Sequence, residues 1–183
     1  MTRHPSPDTP PTPPPAQPPA SAVTEPAGSS DPVGLALGRI PSGLYIVTWR
    51  DGCGDRTMLA SWVMQAAFTP PMITLAIACS RDLLAAISSG SEFVVNILGE
   101  AQRPLAGRFS RPLAPGEDPF AGLPVERVAG LAALNDAAGW LHCRGVARAE
   151  SGDHAVIIAR ILAAGPAAGG APLVHVRRHG LRY

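Results

Sequence analysis

The stretch TMLASWVMQAAFTPPM, Thr57 to Met72, decides the fold. It begins as a strand-like run, passes the small pair Ala60-Ser61, and ends in Thr69-Pro70-Pro71 just before a second apolar run, Met72 to Cys79. Neither proline can donate a ladder hydrogen bond, so strand pairing must stop there. Upstream, Leu44 to Trp49 is β-branched and aromatic and reads as a strand. Asp51-Gly52-Cys53-Gly54-Asp55 is a hairpin loop in which glycine supplies positive φ, and Arg56 to about Met64 is its return strand. The chain before it opens at Asp31-Pro32, a helix-start signal, with one short helix through Leu37.

Downstream, the continuous apolar run Met72 to Cys79 predicts a buried strand. Ser80-Arg81-Asp82 caps a short helix, Leu83 to Ser89, stopped by Gly90. Phe93 to Leu98 is another strand, and Glu100 to Phe109 a helix that tolerates Pro104 in its first turns. Leu113 to Pro124 is a loop. Trp140 to Ala149 and His154 to Ala163 are strands joined at Ser151-Gly152-Asp153, and Pro172 to Arg177 is the last strand. Strands and helices do not alternate as β-α-β. A mostly-β chain with short helices, forming a small antiparallel barrel, is therefore expected rather than a doubly wound sheet.

Composition narrows the function. The 183 residues carry a net charge of +1, which gives no electrostatic case for nucleic acid or a membrane surface. All 15 basic residues are arginine, which removes Schiff-base chemistry and the Walker phosphate lysine. Arginine still suits phosphate, because its planar fork donates two parallel hydrogen bonds. Residues 1–30 hold ten of the 21 prolines and are expected to be a disordered or polyproline-like tail, leaving 31–183 as the folded domain. The tail composition suits a solvated segment and also a Pro-rich ligand. Three cysteines without CxxC spacing, no apolar N-terminal leader and no long apolar run lead us to expect a reduced, cytoplasmic protein with no membrane span.

Ser61 lies in Ala-Ser-Trp rather than on a glycine-flanked elbow, so a nucleophile triad is not expected. His142-Cys143 are adjacent on a strand and point to opposite faces, and His175 and His179 have no nearby carboxylate, so no metal site is expected. Cys79-Ser80-Arg81-Asp82 joins a strand to a helix start, where unpaired N–H groups, the Ser80 hydroxyl and the Arg81 fork suit a phosphate. The same residues suit a plain helix cap. At Ala60-Ser61 the small side chains let a flat ring approach the backbone, with Trp62 alongside; a plain core strand reads equally well. The strand Met72 to Cys79 separates the two candidate ends by eight residues, about 26 Å when extended.

Taken in order, four stretches resemble the flavin reductase-like family, whose fold is a six-stranded antiparallel split β-barrel that binds FMN. They are RIPSGLYIVT (Arg39 to Thr48); LASWV (Leu59 to Val63) with FTPPM (Phe68 to Met72); FVVNIL (Phe93 to Leu98); and GDHAVII (Gly152 to Ile158) with PLVHV (Pro172 to Val176). The resemblance runs from Leu35 to Tyr183. It implies a homodimer that takes hydride from NADH or NADPH onto FMN, with FAD or riboflavin as other flavin substrates. It also implies an oxygenase partner that receives the reduced flavin. By position, Ala60, Ser61 and Trp62 line the flavin ring, Ser80 and Arg81 hold the phosphate, and Ser42 lies near the site. His154, with Asp153, takes the nicotinamide side as a positioning residue or proton donor. Ala66 and Ala67 stand where relatives carry polar residues such as serine. A flavin-binding module without turnover is the alternative reading.

Overall fold

The computed structural model describes residues 31–114, 116–165 and 170–181. The expected tail, residues 1–30, lies outside the described residues. The elements run α1 (Pro32–Gly38), β1 (Ser42–Gly43), β2 (Tyr45–Asp51), β3 (Gly54–Ala60), β4 (Val63–Ala67), β5 (Met72–Ala78), α2 (Asp82–Ser88) and β6 (Glu92–Ile97). A 3-10 turn at Glu100–Gln102 leads into α3 (Arg103–Ser110). Then come β7 (Val125–Val128), β8 (Leu131–Leu134), β9 (Gly139–Ser151), β10 (His154–Ala164) and β11 (Val174–His175). No helix among the described residues is long and apolar enough to cross a membrane.

The main sheet has seven antiparallel strands in the order β3-β2-β6-β9-β10-β5-β4. It thus differs from the expected six-stranded barrel in strand number, and its edge strands β3 and β4 are not hydrogen-bonded to each other. The expected single strand from Arg56 to Met64 is also corrected. The chain leaves β3 at Ala60 and enters β4 at Val63, so one apolar run supplies both edges of the sheet. A flat seven-stranded sheet would hold its edges about 29 Å apart. The link Ser61-Trp62 spans at most about 11 Å. The sheet must therefore curl until its edges nearly meet at these two residues.

Alternation explains which face is inside. Ile73, Leu75 and Ile77 of β5 and Ala155, Ile157 and Ala159 of β10 are buried, with half-buried neighbours between them. Met72 to Cys79 looked uninterrupted only because its outward positions hold Thr74, Ala76 and Ala78; it is not buried on both faces. Inside the curl these residues pack with Val47, Trp49, Phe93, Val95 and Cys143, and α2 closes one end with Leu83 and Leu84. Burial pushes the Cys143 thiol up to about 12, which leaves it unreactive.

A second layer covers the outer face of β2 and β6. Phe109 of α3, Phe120 and Leu134 pack on Ile46 and Leu98, while Leu131 and Ala133 pack on Val94 and Trp140. The β7–β8 hairpin is missing from the sequence reading. Its turn is Ala129-Gly130, both at positive φ. Polar pins fasten it down: Thr48 Oγ1 donates to Ala132 O at 2.6 Å, and Asn96 bridges Ile46 O and Leu134 N. On the same outer face His142 Nε2 meets Glu92 at 2.6 Å, and Arg144 also grips that carboxylate. The Arg144 hydrogen bond, then that of His142, holds Glu92 below the usual carboxylate range.

The expected strand Pro172 to Arg177 shrinks to Val174–His175, paired with Ser42–Gly43 of β1. Pro172 bridges Gly99 and Leu173 N donates to Leu98 O, while the chain after His175 packs on α1. Gly180 N donates to Gly34 O, and a Cβ on Gly34 would sit 1.9 Å from the His179 ring.

Candidate functional site

Ser61 and Trp62 sit at the seam of the curled sheet because neither edge ladder can hold them. β2 pairs with β3 only as far as Tyr45↔Ala60, and β5 pairs with β4 only from Val63↔Leu75. The Trp62 carbonyl accepts from Ala76 N at 3.0 Å, but neither the Ser61 nor the Trp62 N–H donates to a backbone carbonyl among the described residues. Ser61 is buried, 9% exposed, and its hydroxyl has no hydrogen-bond partner among them. Ala60 and Trp62 are half-buried. Two backbone donors and one hydroxyl are thus left unspent beside an indole. That donor set fits a flat heteroaromatic ring bearing carbonyls and ring nitrogens.

The β9–β10 turn brings the second group. Gly152, at φ 64, makes the reversal that places Asp153-His154 beside the end of β5. The His154 ring lies 4.8 Å from that of Trp62, tilted by 44°. Its Nδ1 faces Asp153 Oδ1 at 2.8 Å. A carboxylate only accepts, so Nδ1 carries the proton and Nε2 remains for the site. The His154 side chain is 13% exposed and that of Asp153 91%. The hydrogen bond and charge of His154 keep Asp153 below its ordinary value.

The turn also fixes the path to Ser80 and Arg81, since Cys79 N donates to Asp153 O at 2.9 Å. Both residues are exposed. The expected cap is corrected: Arg81 itself holds the N-cap position of α2, without a side-chain cap bond, and Ser80 lies outside the helix. The Arg81 side chain has no hydrogen bond or ion pair among the described residues. The 26 Å separation is corrected too. β4 folds back on β5, so Trp62 lies opposite Ala76, four residues before Ser80. Four extended residues span about 13 Å. Ala60, Ser61, Trp62, Asp153, His154, Ser80 and Arg81 therefore gather at one end of β5. Ser42 pairs with His175, two residues before Arg177, and lies three residues before Tyr45, the ladder partner of Ala60.

That segment supplies a residue the sequence reading missed. The Arg177 guanidinium lies 4.9 Å from the centroid of Trp62. No local pattern announces the contact, because it joins residues 115 positions apart in the chain. A cavity of 560 Å³ lies elsewhere, between the β2–β3 turn and the loop after α3, lined by Cys53, Arg56 and Glu117 among others. None of the expected site residues lines it.

Residues 37–181 match the flavin reductase like domain. The chain belongs to the flavin reductase-like family. It is 38% identical over 151 residues to diflavin flavoprotein A 1 of Synechocystis sp., covering 81% of this chain and 26% of that protein. The chain thus spans about a quarter of the length of such relatives. The NADH:FAD oxidoreductase SgcE6 of Streptomyces globisporus shares the fold, with a TM-score of 0.71 at 20% identity over 78% of this chain and 85% of that one. So does the styrene monooxygenase flavin reductase of Pseudomonas putida S12, with a TM-score of 0.67 at 22% identity over 78% and 90%. The family expectation drawn from the four stretches is thereby met, and with it the mostly-β class with short helices.

Proposed function

We propose that the chain is an NAD(P)H-dependent flavin reductase that binds FMN at the seam of the curled sheet. The observation that carries this reading is the contact of Trp62 with His154 beside the unspent donors of Ser61 and Trp62. A bound flavin supplies a two-electron acceptor that takes hydride from nicotinamide C4 at its N5. The chain's own task is to position two rings and to stabilise charge. In this reading the Ser61 and Trp62 N–H groups and the Ser61 hydroxyl donate to the polar edge of the ring, and Ala60 leaves space for its face. Ser80 and Arg81 hold the phosphate, and Ser42 stands behind the segment that carries Arg177. His154, fixed by Asp153, orients the nicotinamide and presents Nε2 to the site.

The fold likeness to a monooxygenase's flavin reductase supports an oxygenase as the taker of reduced flavin. A homodimer completes the reading, and a reducing cytoplasm suits the free Cys53, Cys79 and Cys143. A second reading, a flavin-binding electron-transfer module, is favoured by the match to a segment of a diflavin flavoprotein.

Absorbance separates the two. Purified protein reconstituted with FMN is expected to show a bound flavin band that NADH or NADPH bleaches in the absence of oxygen. A band that neither reductant bleaches favours the electron-transfer reading. Protein that takes up no flavin and gains no thermal stability from FMN overturns both. Deleting residues 1–30 is expected to leave flavin binding and melting temperature unchanged; a large drop in either assigns the tail to the domain.

A further inference from the structure

Two contacts hold the Arg177 guanidinium. Its guanidinium stacks on Trp62 at 4.9 Å, and its Nη1 donates to Gly180 O at 3.1 Å. Gly180 is itself tied to α1 through Gly34 O. A planar cation is thereby fixed against the indole that also contacts the His154 ring. The contact is a cation–π pair, and Arg177 is half-buried, so its charge is only partly screened by water.

The charge has a direction of action. When hydride passes from NAD(P)H to a flavin, the C4–H bond of the nicotinamide breaks and a bond to flavin N5 forms. Two electrons move with the hydrogen. The nicotinamide ends with one positive charge and the flavin ring with one negative charge. A fixed cation at the ring wall favours the reduced ring over the neutral oxidised one. We propose that Arg177 sets the reduction potential of the flavin held at the Trp62 wall, raising it by stabilising the anionic reduced ring. This inference rests on the flavin-reductase reading. Arg177 acts on the ring through space and through Trp62. It is a positioning residue, and no proton passes through it.

The test is the midpoint potential of full-length protein loaded with FMN, measured at fixed pH against a reference dye. In Arg177→Gln the ratio of reduced-flavin to oxidised-flavin affinity is expected to fall about tenfold. For a two-electron couple that is a drop of about 30 mV. Arg177→Lys keeps the charge and loses the planar stack, and is expected to stay within about twofold of the unmutated protein. A packing role would move both variants alike. An unchanged potential in Arg177→Gln, or an equal drop in Arg177→Lys, overturns the proposal. If Arg177→Gln does not fold, the unmutated protein still decides: reduced FMN is expected to bind more tightly than oxidised FMN, and weaker binding overturns the proposal. Unmutated protein that binds neither form overturns the flavin reading as well. Unmutated protein that binds both, with an unmoved potential in Arg177→Gln, overturns the role of Arg177 alone.

Discussion

Asn96→Ala is expected to lower the unfolding free energy by about 2–4 kcal/mol. Asn96 is fully buried on β6 and is the polar joint between the two layers. Its Nδ2 donates to Ile46 O at 2.9 Å, and its Oδ1 accepts from Leu134 N at 2.7 Å. Leu134 N belongs to the β7–β8 hairpin, and its own ladder neighbour is Val125. Alanine leaves a buried N–H without an acceptor, at about 1–3 kcal/mol, and adds a small cavity beside Ile46. Thr48→Val is the calibrating comparison: it removes one hydroxyl bond to Ala132 O from the same hairpin, for about 1 kcal/mol. Urea unfolding of the three proteins checks this. A loss below about 1 kcal/mol for Asn96→Ala would mean that water or a shifted neighbour satisfies Leu134 N.

Elements with a local cause were legible in the sequence. Pro32 starts a helix, Gly152 turns a hairpin, and the alternation of β10 is visible as Ala155, Ile157 and Ala159. What escaped was set by pairing between distant strands. No residue of Arg56 to Met64 says that pairing passes from β2 to β5, because both halves are good strand formers. The break falls on Ser61-Trp62 because the closing curve demands it. The sequence reading therefore singled out Ala60-Ser61 but placed them within a continuous strand. The β7–β8 hairpin was hidden for a related reason: Val125, Val128 and Leu131 make a pattern too short to outweigh the alanines around it. The contact of Arg177 with Trp62 had no local signal at all, whereas Asp153-His154 had one, since a turn before a strand fixes where the next side chain points.

Arg81→Ala is expected to weaken FMN binding by about 10- to 150-fold, the loss of one charge-assisted contact of roughly 1.5–3 kcal/mol. The structure makes this a clean measurement. The Arg81 side chain is exposed and without a hydrogen bond or ion pair among the described residues, and it caps nothing at the start of α2. Its removal is therefore expected to change stability by no more than about 0.5 kcal/mol. An affinity loss at constant melting temperature then reports a ligand contact and not a damaged fold. Riboflavin supplies the internal control, because it has the ring and lacks the phosphate. Its affinity is expected to be the same in Arg81→Ala as in the unmutated protein. Lysine at position 81 restores the charge but not the two-pronged donor, so Arg81→Lys is expected to recover part of the loss. Fluorescence quenching of the flavin on titration gives all five constants. Equal FMN affinity in Arg81→Ala and the unmutated protein would remove the phosphate from this end of β5, while leaving the ring wall at Ser61-Trp62 to be judged by riboflavin alone.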